Sequence, residues 1–189
     1  MVRGGFAKFY QMGLILLLIS GSWMGYAATP SSWNWTRSPE KKDWQIFMKM
    51  SEAEHNTLWK GLRGHGLTFE TLSWEWRTGW VQVCTRRSSQ LCAHILQWAL
   101  FDRALVVRAE SASAMGTRFA GTGHPPALRL LATAYAVQQN KKGKDPLYVQ
   151  FRILHAIQQI GGTESRTLGH KLAHPPPATA RYWTRLAMR

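Results

Sequence analysis

Two histidines near the C-terminus have the spacing found in zinc-binding helices. His170 and His174 are four residues apart, so a helix would place both imidazoles on one face. Lys171 follows the first histidine, at the position where metalloprotease helices carry a glutamate base. Pro175 directly follows the second histidine and is typical of a helix that is ending. We therefore expect no metal site and no cofactor in this chain.

The two cysteines, Cys84 and Cys92, are eight residues apart. This spacing is neither a redox Cys-x-x-Cys motif nor a zinc pair, so we assign them no catalytic role. An exported chain with two cysteines is expected to pair them. Within one continuous helix their Cα atoms would be about 12 Å apart, whereas a disulfide needs about 7 Å or less. We predict a disulfide in which Cys84 precedes a helix, residues 85–89 turn, and Ser88 or Ser89 caps that helix.

Glu110 is the carboxylate whose surroundings suggest acid or base catalysis. It is followed by Ser111 at the predicted end of an apolar helix. This Glu-Ser pair resembles the soluble lytic transglycosylases, whose acid/base glutamate is followed by serine at the end of such a helix. The resemblance implies a carboxyl of raised pKa in a groove, protonating a glycosidic oxygen. The Gly-Leu-Met-Gln segment of that family is absent here, so peptidoglycan cleavage by Glu110 is kept as an alternative function.

Tryptophan is unusually frequent, with ten residues in the chain. Several recur at close spacing and suggest a sugar-stacking belt or a contact surface for a protein partner, where Trp and Arg are enriched. Trp33 and Trp35 lie in a Pro/Ser-rich leader, and we expect them to be exposed. Periodicity places Trp44, Trp59 and Trp98 in the core. The predicted partner-binding residues are Trp33, Trp35, Trp74, Trp76 and Trp80.

Positive charge is concentrated in the C-terminal half. The formal net charge is +14, and residues 111–189 carry eleven Lys and Arg against only Asp145 and Glu164. A surface of one sign attracts polyanions, which for an exported protein include anionic lipid, acidic wall polymer and nucleic acid. The tail arginines recur every four residues, on one face of a predicted terminal helix. The predicted polyanion-binding residues are Lys141, Lys142, Lys144, Arg181, Arg185 and Arg189.

Residues 1–28 have the three parts of a secretory signal peptide. Arg3 and Lys8 make the start positive, residues 12–19 are apolar, and small residues precede the predicted cleavage after Ala27 or Ala28. The apolar run is shorter than the roughly 20 residues that span a bilayer. We predict an exported, periplasmic or envelope-associated protein, with an N-terminal membrane anchor as the alternative.

The rest of the chain predicts one all-α domain of five to seven helices. Residues 29–38 form an extended Trp/Ser/Pro leader, and residues 39–189 form the helical domain. Ser38 and Pro39 predict the start of the first helix. Ser51 and Glu54 have the spacing of a capping box and predict the start of a second.

The longest apolar stripe predicts a central helix over residues 88–112. Asp102 lies within that stripe, so we expect it to pair with an arginine, such as one from another helix. Residues 111–126 contain several Gly and Pro residues and predict a loop. Residues 67–83 fit either a helix or a strand, and their helical spacing favours a helix through Trp76.

These observations predict a non-enzymatic accessory or assembly factor of an envelope-spanning apparatus, such as a secretion or conjugation system. It would dock to a protein partner through its Trp-rich N-terminal half and its cationic C-terminal half, without a small-molecule cofactor. The alternatives are the peptidoglycan-cleaving enzyme that uses Glu110 and a stand-alone cationic binder of membrane surface or nucleic acid.

Overall fold

Short helices separated by tight breaks make up the part of the chain that the structure, a computed structural model, describes: residues 33–142 and 146–173. The predicted all-α class is confirmed, and these residues form one compact domain without strands. They contain more helices than the five to seven predicted. The helices are α1 (Lys41–Lys49), α2 (Glu52–Gly64), α3 (Trp74–Cys84), α4 (Gln90–Leu100), α5 (Leu105–Arg118), α6 (Pro125–Ala136), α7 (Gln138–Lys142), α8 (Pro146–Ile160) and α9 (Gly162–Ala173).

The helix starts follow local capping chemistry. The predicted capping box is confirmed at α2, where the Ser51 hydroxyl accepts from the Glu54 amide and the Glu54 carboxylate accepts from the Ser51 amide. The predicted start of the first helix at Ser38 and Pro39 is wrong, because α1 begins at Lys41. The Ser38 hydroxyl instead donates to the carboxylate of Glu75 at 2.5 Å. Glu40 occupies the N-cap position of α1 without a capping side-chain hydrogen bond. The leader is therefore bonded to α3 rather than to the helix that follows it.

The predicted helix over residues 88–112 is wrong, because the chain breaks between α4 and α5 at residues 101–104. The Asp102 carboxylate accepts from the Ala104 amide at 2.7 Å and forms a buried ion pair with Arg77 of α3. Its two oxygens lie 2.7 and 3.0 Å from Arg77 Nε and Nη2. The predicted pairing with an arginine of another helix is thus confirmed, and this pairing stabilises the break.

Two other boundaries differ from the sequence-based predictions. Residues 67–76 do not form one helix: a 3₁₀ turn occupies Phe69–Thr71, and α3 begins at Trp74. The predicted loop over residues 111–126 is helical up to Arg118, because Gly116 lets α5 pack closely against α8. A Cβ atom on Gly116 would lie 2.8 Å from the Cα atom of Ala156, so this contact requires glycine.

Tryptophan rings form the core at the N-terminal end of the domain. Trp33 stacks on Trp76 with ring centroids 5.3 Å apart and planes at 13°. Trp35 lies 4.4 Å from the same ring. Phe47 presents its edge to Trp76 and Trp80 at 5.4 and 5.2 Å. Edge-to-face and offset-stacked pairs of this kind add to the stability gained from burial.

The disulfide between Cys84 and Cys92 joins the end of α3 to the first turn of α4. Their Cα atoms are 4.9 Å apart. Ser89 is the N-cap of α4, and its hydroxyl accepts from the Cys92 amide at 3.3 Å. The predicted arrangement, with Cys84 before the helix and a serine cap, is confirmed.

The glycine-containing turn after α5 is hydrogen-bonded to the end of α8, where α9 follows. The amides of Gly121 and Gly123 donate to the carbonyls of Gln159 and Ile160 at 2.9 and 2.8 Å. Gly162 has a φ of +85°, and a Cβ atom there would lie 3.2 Å from the Cα atom of Gly123. The turn and the junction of α8 with α9 are thus joined backbone to backbone.

Candidate functional site

The predicted partner-binding tryptophans do not form one surface. Trp33 and Trp35 are only 6% and 5% exposed, so the expectation that they are exposed is wrong. Trp76 and Trp80 are also buried. The physical reason is the stacking of the leader rings on Trp76, which removes them from solvent. Trp74 alone of the five is exposed, at 48%.

The three tryptophans predicted to lie in the core differ in their solvent exposure. Trp59 is buried, and Trp44 is partly buried against the core cluster. Trp98 is 36% exposed, which corrects the prediction. It keeps the apolar spacing of α4 but lies at the edge of the core, against Trp59 and Phe69.

Trp74 lies in an open cleft of about 710 Å³, which we call the Trp74 cleft. Three separate segments form it: the leader, the start of α3 and the break between α4 and α5. No single stretch of sequence contains this site. The residues that line the Trp74 cleft are Thr36, Arg37, Ser38, Ser73, Trp74, Glu75, Arg77, Arg103 and Ala104.

Hydrogen bonds fix the leader against the start of α3. The Ser73 amide donates to the Trp35 carbonyl at 2.8 Å, and the Trp76 indole donates to the Asn34 carbonyl at 3.2 Å. The Asn34 side chain accepts from the amide and hydroxyl of Thr36, which closes a local turn. One wall of the Trp74 cleft is therefore held by backbone and buried rings rather than by flexible side chains.

A buried polar network fixes the opposite wall. Arg108 donates to the carbonyls of Asp102 and Arg103 at 2.7 and 3.0 Å, and to the Asn140 side chain at 2.7 Å. Asn140 in turn donates to the Ala134 carbonyl at 2.8 Å. Burial lowers the pKa of Arg108, an effect that the Asp102 carboxylate partly offsets. Arginine nevertheless stays protonated in proteins. Arg77 and Arg108 therefore carry two positive charges against the single negative charge of Asp102.

The rim of the Trp74 cleft is cationic. Arg37 and Arg103 are exposed, whereas Arg77 is neutralised by Asp102. Glu75 is the carboxylate that lines the cleft. Partial burial alone would raise the pKa of Glu75, but hydrogen bonds from the Ser38 hydroxyl, its own amide and Ser73 lower it overall. Its charge is thus stabilised within the protein, and the two exposed guanidinium groups are available to a ligand.

The Trp74 cleft combines an exposed indole, hydroxyl groups and two cations. An exposed tryptophan beside arginines is the composition of protein-binding hot spots. Sequence reasoning identified Trp74 but missed Arg37 and Arg103. The sequence carries no signal that links these arginines, because the fold brings them together from positions 66 residues apart.

Glu110 is the sixth residue of α5 and is half-buried, so it does not lie at the end of a helix as predicted. Ser111 beside it is buried and donates to the Leu96 carbonyl at 2.6 Å. The hydroxyl of the Glu-Ser pair therefore joins α5 to α4. Glu110 does not line the Trp74 cleft.

Most of the predicted polyanion-binding residues lie outside the described part of the chain. Lys141 is exposed in α7, and Lys142 is the last residue of that helix. Lys144, Arg181, Arg185 and Arg189 fall outside the described residues, as do the predicted signal peptide at 1–28 and residues 29–32 of the leader.

The structure adds two observations on metal and membrane binding. Within residues 33–142 and 146–173, no group of three or more His, Cys, Asp and Glu side chains is arranged to hold a metal ion. His170 is exposed in α9, and His174 lies outside the described residues. No helix in the same ranges has the length and apolar character needed to cross a bilayer.

Comparisons with protein family models, curated proteins and solved structures find no match to this chain.

Proposed function

We propose that this protein is an exported, non-enzymatic accessory factor of the cell envelope that holds an acidic segment of a protein partner in the Trp74 cleft. The observation that carries the proposal is the 48% exposure of Trp74 beside Arg37 and Arg103. A secretion or conjugation apparatus is the kind of host complex that such a factor serves. The cationic C-terminal half, with Lys141 exposed, adds attraction for acidic partners.

The exposed indole supports the proposal because tryptophan is costly to leave in water. Most other tryptophans of the N-terminal region are covered by the core. Trp74 is the most exposed of the large apolar side chains in the described residues. Binding that covers this ring gains the free energy of apolar burial, about 25 cal/mol per Å².

The rigidity of the cleft walls also supports binding. The leader is hydrogen-bonded to α3, and the α4–α5 break is held by Arg77 and Arg108. A site that is already in its binding geometry loses little conformational entropy when it binds. The charge of Arg37 and Arg103 favours carboxylate groups on the bound segment.

Affinity capture from the native envelope at moderate salt tests the proposal. The wild-type protein is compared with Trp74→Ala and Arg103→Glu, and with Trp98→Ala as a control that removes the other half-exposed tryptophan. We expect a reproducible protein partner that Trp74→Ala and Arg103→Glu lose and Trp98→Ala retains. The captured protein should then bind the purified chain directly, through an acidic segment whose neutralisation weakens binding.

Two results would contradict the proposal. One is a partner captured equally well by the wild type and Trp74→Ala, which would place docking elsewhere. The other is capture of wall fragments, lipid or nucleic acid without protein. In the second case, Glu110→Gln would be assayed on purified peptidoglycan, because loss of activity in a folded variant would favour the enzymatic alternative.

A further inference from the structure

A second cleft lies on another part of the surface. It has a volume of about 210 Å³ and is formed by α2, the 3₁₀ turn and α4. We call it the Trp98 cleft. The residues that line it are Trp59, Arg63, Thr68, Phe69, Glu70 and Trp98. It shares no lining residue with the Trp74 cleft, and Glu110 does not line it.

The aromatic residues of the Trp98 cleft form a platform. Trp98 packs against Trp59 with centroids 6.0 Å apart and planes at 27°, and against Phe69 at 6.3 Å and 39°. Rings inclined so little to one another pack together rather than enclose a space between their faces. This geometry differs from an aromatic cage, in which several ring faces surround a cation.

The core holds this platform in place. Trp59 is buried and meets Trp80 edge to face, with centroids 5.2 Å apart. Phe69 is only 2% exposed. Trp98, at 36%, therefore presents most of the solvent-accessible aromatic surface of the cleft. His94 lies one turn before it, with its ring 5.7 Å away.

The polar rim of the Trp98 cleft has no net charge. Arg63 and Glu70 are both exposed, one supplying donors and the other acceptors. In the described part of the chain, neither side chain has an ion-pair or hydrogen-bond partner. On a chain of net charge +14, a locally neutral rim matches an uncharged ligand that offers both hydroxyl donors and acceptors.

We infer that the Trp98 cleft binds a neutral pyranose ring of a saccharide. The C–H face of a pyranose stacks on the electron-rich face of an indole, and its hydroxyls match Arg63, Glu70 and Thr68. The volume of about 210 Å³ is below the roughly 300–1,000 Å³ of sites for drug-sized ligands, which suits a single ring. A nucleotide fits less well because the attraction of Arg63 for phosphate is offset by the Glu70 carboxylate. The inference stands independently of the proposed function.

Binding is tested on the ¹⁵N-labelled protein by following its indole N–H signals by NMR. The probes are three neutral disaccharides, cellobiose, maltose and N,N′-diacetylchitobiose, titrated into the millimolar range. We expect at least one of them to shift the Trp98 signal saturably while the Trp74 signal stays in place. Trp98→Ala should weaken binding about tenfold or more, whereas Trp98→Phe retains a ring and should bind within about threefold of the wild type.

A surface variant and two other ligands complete the test. Glu70→Gln leaves the aromatic packing intact and should weaken binding several-fold, while Trp74→Ala should bind as the wild type does. Absence of a saturable shift with all three sugars would overturn the inference. So would a stronger response to adenosine monophosphate or phosphocholine, or wild-type sugar binding by folded Trp98→Ala.

Discussion

The two halves of the domain differ in the side chains that make their closest contacts. Residues 33–101, the aromatic half, are held together by indole and phenyl rings around Trp76 and Trp80. Residues 105–173, the small-residue half, bring helix backbones together where Gly116 meets Ala156. The aromatic half also carries both half-exposed tryptophans, Trp74 and Trp98.

This difference shows where binding surfaces arise in such a fold. Large rings cannot all be covered when short helices pack around them, so a ring at the edge of the cluster remains in contact with water. Residues 105–173 also bury aliphatic side chains such as Leu131 and Ile153, but the close approach of α5 to α8 depends on small residues. We therefore expect loss of a ring to be costly in the aromatic half and addition of a methyl group to be costly where α5 meets α8.

The largest expected effect is the loss of a central ring from the aromatic half. Trp76→Ala should lower the free energy of unfolding by about 3–5 kcal/mol, because it removes the ring on which Trp33 and Trp35 pack. Urea unfolding followed by circular dichroism measures this change. Trp74→Ala is the matched control and should change stability by no more than about 0.5 kcal/mol. Similar losses for the two variants would contradict the assignment of one ring to the core and the other to the surface.

The disulfide gives the next largest effect. Replacing Cys84 and Cys92 by serine should lower the free energy of unfolding by about 2.5 kcal/mol, the value expected for closing a loop of eight residues in the unfolded chain. Urea unfolding of the wild type with and without a reducing agent provides the same comparison. If reduction leaves the unfolding midpoint unchanged, this bond does not constrain the unfolded chain.

A pair of glycine-to-alanine substitutions tests the small-residue half. Gly116→Ala places a methyl group 2.8 Å from the Cα atom of Ala156, and overpacking of this kind costs about 1–3 kcal/mol. Gly61→Ala in α2 meets no atom within 4 Å and should stabilise the protein by about 0.4–1 kcal/mol. We expect Gly116→Ala to lower the temperature of thermal unfolding and Gly61→Ala to raise it. A stabilising Gly116→Ala would show that α5 and α8 do not pack closely.

The smallest predicted effect concerns His55 in the aromatic half. Burial lowers the pKa of His55 below its ordinary value of 6.5, and the charge of Arg87 lowers it further. The unfolded chain therefore binds a proton in a pH range where the folded protein does not. The free energy of unfolding should fall as the pH drops below about 6.5, by about 1.4 kcal/mol for each unit of pKa shift.

His55→Phe supplies the control for this pH dependence. The substitution keeps a ring against Phe47 and Trp80, which the imidazole meets at 4.6 and 5.3 Å. Urea unfolding at a series of pH values from about 7.5 to 5.5 should give a shallower decline for this variant. An equal decline in both proteins would assign the pH dependence to other groups.

Interactions between residues that are close together in the chain could be predicted from the sequence. The Ser51–Glu54 capping box and the Cys84–Cys92 turn depend on residues close together in the chain, and both were predicted correctly. The pairing of Asp102 with an arginine also followed, since an acid within an apolar stripe needs a cation. The helix break that contains Asp102 could not be predicted, because the apolar stripe continues across residues 101–104.

Contacts between distant segments could not be predicted. The leader tryptophans have no helical period, so nothing in the local pattern indicates that they pack on a ring about 40 residues later. The start of α9 has no sequence signal, because Gly161 and Gly162 are typical of a helix end, whereas here α8 ends and α9 begins there. The Trp74 cleft needs three segments, so only its tryptophan was identified.

The hydrogen bonds between the turn at 121–123 and the end of α8 limit where residues can be added to the chain. Surface turns usually accept added residues and are common sites for epitope tags. Here the amides of Gly121 and Gly123 donate to the carbonyls of Gln159 and Ile160 at the end of α8. Residues added to this turn would therefore separate donors from acceptors, so it is a poor site for a tag.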